Sequence, residues 1–222
     1  MSIGKWLLRL IYPPKCVLCG KLLEKEETDL CRSCRLDSPV YEGSRIKLPF
    51  VENWTAVWRY ESHVRGSILR YKFYGKGFYA ESYGRLLAMK IQQEFSEELD
   101  CLTWVPVSPW RRFKRGYDQV ELLAAAVGAE LGIKPVRLLK KIRNNRVQSS
   151  IVGDAQRRAN VLGAYRAENT QLLKDKRVLL LDDVITTGAT LGACARVLLT
   201  AGAKEIYCAA VATARHNDKK SR

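Results

Sequence analysis

The stretch VLLLDDVITTGATL, residues 178–191, places two acidic side chains directly after four apolar residues and then continues into threonine and glycine. The apolar run predicts a buried strand, and the residues from Ala189 onward predict a helix. In open parallel sheets, ligands bind at the carboxyl ends of the strands, where this loop lies. The stretch therefore predicts a ligand site between a strand and a helix.

The groups in this loop suit two different parts of one ligand. The loop consists of Thr186, Thr187, Gly188, Ala189 and Thr190. Its backbone N–H groups and hydroxyls suit a phosphate, and the glycine lets the backbone approach that phosphate closely. Asp182 and Asp183 would repel a phosphate, but ionised carboxylates accept hydrogen bonds from neutral hydroxyls. A phosphate beside two neighbouring hydroxyls describes a ribose 5-phosphate.

Strands and helices alternate along the rest of the chain, which predicts a parallel sheet covered by helices on both faces. The predicted strands are WTAVWRY (54–60), CLTWVPVSP (101–109), KRVLLLDDV (176–184) and EIYCAAVATA (205–214). The predicted helices are 1–11, two within 67–95 separated at Gly75 and Gly77, 117–131 ended by Gly132, and 189–202. Residues 140–160 predict a mobile loop with a short helix at its end.

Four cysteines form two Cys-x-x-Cys turns that are separated by eleven residues: Cys16 with Cys19, and Cys31 with Cys34. Two such turns have the ligand spacing of a four-thiolate zinc site. Four sulfur ligands leave no position for water, so the predicted zinc is structural. Disulfides are the alternative interpretation. The chain is expected to divide into an N-terminal helix and zinc module, residues 1–40, and a second domain, residues 41–222.

The charge of the chain points to anionic partners. Its 222 residues include 38 basic and 23 acidic side chains, which give a net charge of +15. Nucleic acid, phosphorylated small molecules and acidic membrane surfaces all match this charge, although a well-solvated basic surface is the alternative. No apolar run reaches the length of a transmembrane helix. The first fifteen residues make a poor signal peptide, so a cytoplasmic location is expected.

Much of the positive charge lies in residues 111–158, where twelve basic residues stand against four acidic ones. The candidates for nucleic-acid contacts are Arg112, Arg143, Arg146 and Arg157. A second segment interleaves aromatic and basic residues: Tyr71, Lys72, Phe73, Tyr74, Lys76, Phe78 and Tyr79. Such a pattern suits stacking on single-stranded DNA. Helix aromatics packed in the core are the alternative.

At its opening stretch the chain resembles the type I phosphoribosyltransferases, which bind 5-phosphoribosyl-1-pyrophosphate (PRPP) with an apolar strand, two acids and a Thr-Thr/Ser-Gly-x-Thr loop. Other segments resemble the ComF family in the same order: the paired Cys-x-x-Cys turns, RFKRGYDQVELLA (112–124), RVQSS (146–150) and RRANVLGAY (157–165). The resemblance implies an α/β fold, with a type I phosphoribosyltransferase-like parallel sheet flanked by helices and a small N-terminal four-cysteine zinc module.

The resemblance also implies roles for individual residues. Asp182 and Asp183 would be the catalytic pair that holds the ribose 2- and 3-hydroxyls, and the loop after them would bind the 5-phosphate of PRPP. Mg²⁺ and nearby cations would stabilise the departing pyrophosphate, with Ser108 and Arg115 as candidates. The family usually has Arg-Gly-Phe-Asn-Gln where residues 115–119 are Arg-Gly-Tyr-Asp-Gln. Asp118 thus replaces an amide that can donate with a carboxylate that cannot.

Two functions are consistent with these features. The first is Mg²⁺-dependent transfer of phosphoribose from PRPP to an unknown acceptor, by a protein of DNA uptake and natural transformation. The second is a non-catalytic accessory protein of the competence machinery that handles single-stranded DNA or senses PRPP. Competence proteins such as a DNA-uptake helicase are expected partners in either case.

Overall fold

The computed structural model describes residues 13–43, 47–75, 77–143 and 163–214. The strands are β1 (Asn53–Arg59), β2 (Cys101–Trp104), β3 (Leu139–Lys141), β4 (Tyr165–Ala167), β5 (Arg177–Ile185) and β6 (Glu205–Thr213). The helices are α1 (Arg32–Asp37), α2 (Ser62–Phe73), α3 (Tyr79–Glu94), α4 (Pro109–Arg115), α5 (Gln119–Leu131) and α6 (Ala189–Thr200). A 3₁₀ turn covers Thr170–Leu172.

The main sheet has four parallel strands in the order β1-β6-β5-β2. Strand β5 lies inside it, and its apolar run is buried because neighbouring strands and both layers of helices cover it. Leu181 pairs with Ala209 on one side and with Trp104 on the other. This register sets Asp182 and Asp183 one and two residues beyond the end of β2, toward the carboxyl edge of the sheet.

The two faces of β5 pack against different helices, because side chains alternate along a strand. Leu179 and Leu181 belong to a core with residues of α2, α3 and α5. Val178 and Leu180 belong to a second core with residues of α6. The prediction of a parallel sheet with helices on both faces is confirmed.

The cysteine module packs on helices α2 and α3. The carbonyl of Val17 accepts a hydrogen bond from Ser67, and that of Leu18 accepts one from Arg70. Asp29 of the module binds the guanidinium of Arg85, with 3.0 Å between Oδ2 and Nε. The module thus shares a continuous core with the sheet domain.

Two elements differ from the sequence-based expectation. The predicted strand 101–109 ends at Trp104, and α4 begins at Pro109 with Ser108 as its N-cap. Lys140 and Lys141, expected in a loop, belong to β3 and pair with Arg166 and Tyr165. Both elements are too short to show periodicity, and the pairing of β3 joins residues far apart in sequence. The predicted helix 1–11 and most of the predicted loop 140–160 lie outside the described residues.

The other predicted elements are confirmed. Helices α2 and α3 are separated between Phe73 and Tyr79, and α5 ends at Gly132, whose φ of 71° is left-handed. Among the described helices, none has both the length and the apolar character required to cross a bilayer. The division of the chain at residue 40 stays a prediction.

Candidate functional site

A cleft of about 240 Å³ opens at the carboxyl edge of the sheet, beside the end of β5. Five of the predicted site residues line it: Asp182, Asp183, Thr186, Thr190 and Arg115. The cleft is also lined by polar side chains that were not predicted from the sequence to contact the ligand: Tyr60, Lys72, Arg111, Lys141 and Tyr165. They come from α2, α4, β3 and β4 and from the residue after β1, so only the fold brings them together.

The loop after the acid pair turns directly from β5 into α6. Gly188 is buried and is the N-cap of α6 with a φ of 77°, a left-handed conformation that favours glycine. The N–H of Ala189 donates to Thr187 Oγ1 at 3.3 Å. Thr186 and Thr190 face the cleft. The first turn of α6 therefore lies at the cleft wall, where its N–H groups and dipole favour an anion.

The two aspartates point to opposite faces of the sheet, in line with the alternation along β5. Asp183 faces α2 and α5, where Lys72 Nζ lies 2.7 Å from its Oδ1 and Gln119 Nε2 donates to its Oδ2 at 2.9 Å. Asp182 Oδ1 accepts the N–H of Asp183 at 2.8 Å. The pair is therefore asymmetric: protein groups already bind both oxygens of Asp183.

The environment of Asp182 favours its neutral form. Burial and the neighbouring carboxylate of Asp183 raise the pKa of Asp182 to about 8, while the cations Lys72 and Lys141 act in the opposite direction. Its carboxyl also raises the pKa of the buried thiols of Cys194 and Cys208, in addition to the effect of burial. At neutral pH the pair therefore combines an ion-paired Asp183 with a proton-binding Asp182.

Four cations line the cleft against these two acids: Lys72, Arg111, Arg115 and Lys141. Burial lowers the pKa of Arg115 and of Lys141. The guanidinium of Arg115 stacks over the ring of Phe73, 4.7 Å from its centroid, and Lys141 Nζ lies 3.3 Å from the hydroxyl of Tyr165. An excess of partly desolvated cations suits a ligand that carries several phosphate charges.

The four cysteines of the N-terminal module converge as the spacing predicts. All four Sγ atoms lie within 4.8 Å of one another, and Cys19 Sγ is 3.6 Å from Cys31 Sγ. That separation is far longer than a disulfide bond and matches two sulfurs on one tetrahedral zinc ion at about 2.3 Å each. Cys16, Cys31 and Cys34 are buried and Cys19 is exposed. The cluster fits a structural zinc ion.

Comparison with known proteins agrees with both halves of this architecture. The family described as Phosphoribosyl transferase domain matches residues 121–222, and the family described as Double zinc ribbon domain matches residues 7–45. Competence protein F of Haemophilus influenzae is 26% identical over 87% of this chain and 82% of its own length. Competence protein ComFC of Streptococcus pneumoniae is 28% identical over 85% of this chain and 77% of its own length. DNA utilization protein YhgH of Salmonella typhimurium is 24% identical over 87% of this chain and 88% of its own length.

Over most of its length the chain is thus similar to competence proteins of the ComF type, in agreement with the resemblance of its motifs. It is a phosphoribosyltransferase-like α/β protein with an N-terminal zinc ribbon module. The structure gives two positions of the motif region, Ser108 and Asp118, roles as helix caps.

Ser108 is buried, and its Oγ accepts the N–H of Arg111 at 3.4 Å as the N-cap of α4. It does not belong to the described lining of the cleft, in contrast to Arg111, three residues later. Its predicted contact with pyrophosphate stays a prediction. The capping contact positions α4, which carries Arg111 and Arg115 into the cleft.

Asp118, where the ComF family usually has asparagine, caps helix α5. Its Oδ1 accepts the N–H groups of Val120 and Glu121, and its Oδ2 accepts that of Val107 at 3.2 Å. All three partners are donors, so a carboxylate satisfies them and the NH₂ group of an asparagine would face a donor. Asp118 thereby ties the segment after β2 to the start of α5 without facing a ligand.

The residues predicted to contact nucleic acid are only partly described. Arg112 pairs with Glu121 at 3.5 Å, and Arg143 is exposed, while Arg146 and Arg157 lie outside the described residues. The aromatic segment divides in two: Tyr71 and Tyr79 are core residues, whereas Phe73, Tyr74 and Phe78 are exposed. Helix α4 adds two exposed aromatic residues that sequence reasoning did not single out, Trp110 and Phe113.

The zinc assignment predicts about one zinc ion per chain in the purified protein, bound by the four cysteines. Cys16→Ser should remove the zinc and unfold the module, because this sulfur is buried against the shared core. Atomic absorption and thermal unfolding measure both effects. Cys101→Ser, which lies outside the cluster, should keep the metal; a folded, metal-free wild type would refute the assignment.

The environment of Asp182 predicts that the free energy of unfolding falls as the pH rises. The folded-state pKa is above the unfolded value, so the stabilising contribution is complete at low pH and is lost as the pH rises through about 8. Between pH 5 and 8, urea unfolding should show a loss on the order of 2 kcal/mol that Asp182→Asn abolishes.

Asp100 supplies the control for this measurement. The backbone N–H of Arg177 holds the pKa of Asp100 below its ordinary value, so its contribution is complete above pH 5. The free energy of unfolding of Asp100→Asn should therefore change with pH in the same way as that of the wild type between pH 5 and 8. Identical pH slopes for wild type and Asp182→Asn would contradict the account of the acid pair.

Proposed function

We propose that this protein binds PRPP in the cleft at the end of β5. The observation that carries the proposal is the arrangement of the loop 186–190 at the start of α6, beside an acid pair, in a cleft lined by four cations. The loop would bind the 5-phosphate, and Asp182 and Asp183 would bind the ring hydroxyls. The cations Arg111, Arg115 and Lys141 are placed to bind the pyrophosphate.

We infer that the reaction supported by this cleft is phosphoribosyl transfer. The bond between C1 of the ribose and the pyrophosphate oxygen breaks, pyrophosphate leaves with the electron pair, and a nucleophile forms a bond to C1 and loses a proton. The transition state has the oxocarbenium character of glycoside cleavage. Rigid binding of the sugar and stabilisation of the leaving group suffice, so no side-chain nucleophile is needed.

Mg²⁺ would accompany PRPP. It would be held mainly by the phosphate oxygens of the ligand, and Asp182 and Asp183 are the carboxylates of the cleft that could add an oxygen ligand. When bound, it neutralises charge on the departing pyrophosphate. The side chains of this chain orient the sugar and supply the remaining positive charge.

The proposal predicts that calorimetric titration with PRPP and Mg²⁺ gives saturable binding to the wild-type protein. Asp182→Asn combined with Asp183→Asn should weaken it at least a hundredfold, because both acidic groups of the sugar site change together. Zinc content and thermal unfolding should show a folded variant. Asp175→Asn, in the exposed loop before β5, is the matched control.

Two results would separate the parts of this proposal. Unchanged PRPP affinity in the double variant would show that the acid pair does not bind the sugar. Pyrophosphate release from PRPP across a panel of bases and nucleic acids would support transfer; PRPP binding without release would favour a sensing or accessory role.

A second candidate function, handling of single-stranded DNA, is favoured by the surface of α4. Trp110 and Phe113 are 61% and 89% exposed, and Lys114 Nζ lies 5.4 Å from the centre of the Trp110 ring. Helix α4 also carries Arg111 and Arg115 into the cleft, so this surface borders the PRPP site. The named relatives are competence and DNA utilization proteins. Exposed aromatics among cations suit stacking on unpaired bases.

Binding of a fluorescent oligothymidine tests this function. The wild type should bind it with an affinity that falls steeply with salt, and Trp110→Ala with Phe113→Ala should weaken it at least tenfold, because base stacking on each ring is lost. The affinity for PRPP should stay unchanged. Leu36→Ala, at an exposed apolar residue of α1, is the control; equal affinities of the aromatic variant and this control would refute the assignment.

A further inference from the structure

Asp183 lies at the centre of a small polar network within the cleft wall. Lys72 of α2 binds one carboxylate oxygen and Gln119 of α5 binds the other. All three residues line the cleft. Asp183 and Gln119 are 6% and 2% exposed, so water has little access to the bonds between them.

The amide of Gln119 has only one orientation in this network. An ionised carboxylate accepts hydrogen bonds and cannot donate them, so the NH₂ group of Gln119 must face Asp183. Lys72 Nζ lies against the other carboxylate oxygen, so both oxygens of Asp183 act as acceptors in this network. The backbone of Gln119 is held as well, since the hydroxyl of Tyr71 donates to its carbonyl.

This orientation leaves the other end of the amide without a partner. Gln119 Oε1 is buried and accepts no hydrogen bond from the described residues. A buried acceptor that lacks a donor is unfavourable and uncommon in folded proteins. Since the side chain lines the cleft, a ligand that enters the cleft can supply the missing donor.

We propose that Gln119 Oε1 accepts a hydrogen bond from a ring hydroxyl of the sugar phosphate and is a specificity-determining group of the site. This inference rests on the proposed binding of PRPP and refines it. Asp183 is then a positioning residue: Lys72 and Gln119 satisfy its oxygens, and it orients the amide. The sugar hydroxyls are bound by Asp182 and Gln119, instead of by the two aspartates.

A fixed acceptor discriminates against a sugar that lacks the matching hydroxyl, because the acceptor then stays buried and unpaired. The probes are ribose 5-phosphate and its 2-deoxy and 3-deoxy analogues, with binding measured by calorimetry. The wild type should bind ribose 5-phosphate at least tenfold more tightly than one of the two analogues. Gln119→Leu should bring that ratio close to one, while its affinity for the same analogue stays within about threefold of wild type.

The ratio of the affinities for ribose 5-phosphate and the deoxy analogue distinguishes a direct contact of Gln119 with the sugar from a structural role of Gln119. An equal loss of affinity for all three sugars in Gln119→Leu would overturn the inference, since it would indicate damage to the cleft. If this variant does not fold, Gln119→Met repeats the test with a flexible side chain of similar length. Gln171→Leu, an exposed glutamine of the 3₁₀ turn, is the control and should keep the wild-type ratio.

Failure of the inference and failure of the proposed function give different results. A wild type that binds PRPP with Mg²⁺ but binds the three sugar phosphates equally would overturn the role of Gln119 alone. A wild type that binds neither PRPP nor any of the sugar phosphates would overturn both.

Discussion

The cleft depends on how two adjacent carboxyl groups are accommodated at the end of a buried strand. Alternation along β5 sends Asp183 to the face of α2 and α5 and Asp182 to the face of α6. Lys72 and Gln119 satisfy Asp183 in a site with little solvent, where an unpaired charge would be costly. Among the described residues no cation forms an ion pair with Asp182, and burial beside Asp183 raises its pKa instead. One strand end thus supplies an ion-paired carboxylate and a proton-binding group.

Helix α2 connects this pair to the cysteine module. Ser67 and Arg70 bind carbonyls of the first Cys-x-x-Cys turn, and Tyr71 and Lys72, in the next turn of the same helix, contact Gln119 and Asp183. The module therefore helps to set the position of the helix that completes the acid site. The cysteine module and the cleft are therefore joined through one helix.

The sequence predicted the parts of the site that are contiguous. The strand, acid pair and glycine-containing turn from Val178 to Leu191 are one local unit with its own periodicity and turn chemistry, and the paired cysteines have a diagnostic spacing. Lys72 and Lys141 could not be assigned to the cleft in this way, because a basic residue near the end of a helix or in a three-residue strand has the pattern of a solvated surface. Their place depends on tertiary packing. The hydrogen bond from the N–H of Val107 to Asp118, eleven residues later, likewise depends on tertiary packing.

The crystal structure of the protein with PRPP and Mg²⁺ tests the central claim most directly. The account predicts the 5-phosphate against residues 186–190 and the ring hydroxyls within hydrogen-bonding distance of Asp182 and of Gln119 Oε1, with Lys72 still on Asp183. Ring hydroxyls bound directly by Asp183, with Lys72 and the Gln119 amide turned away from it, would contradict the account, as would PRPP bound outside the cleft.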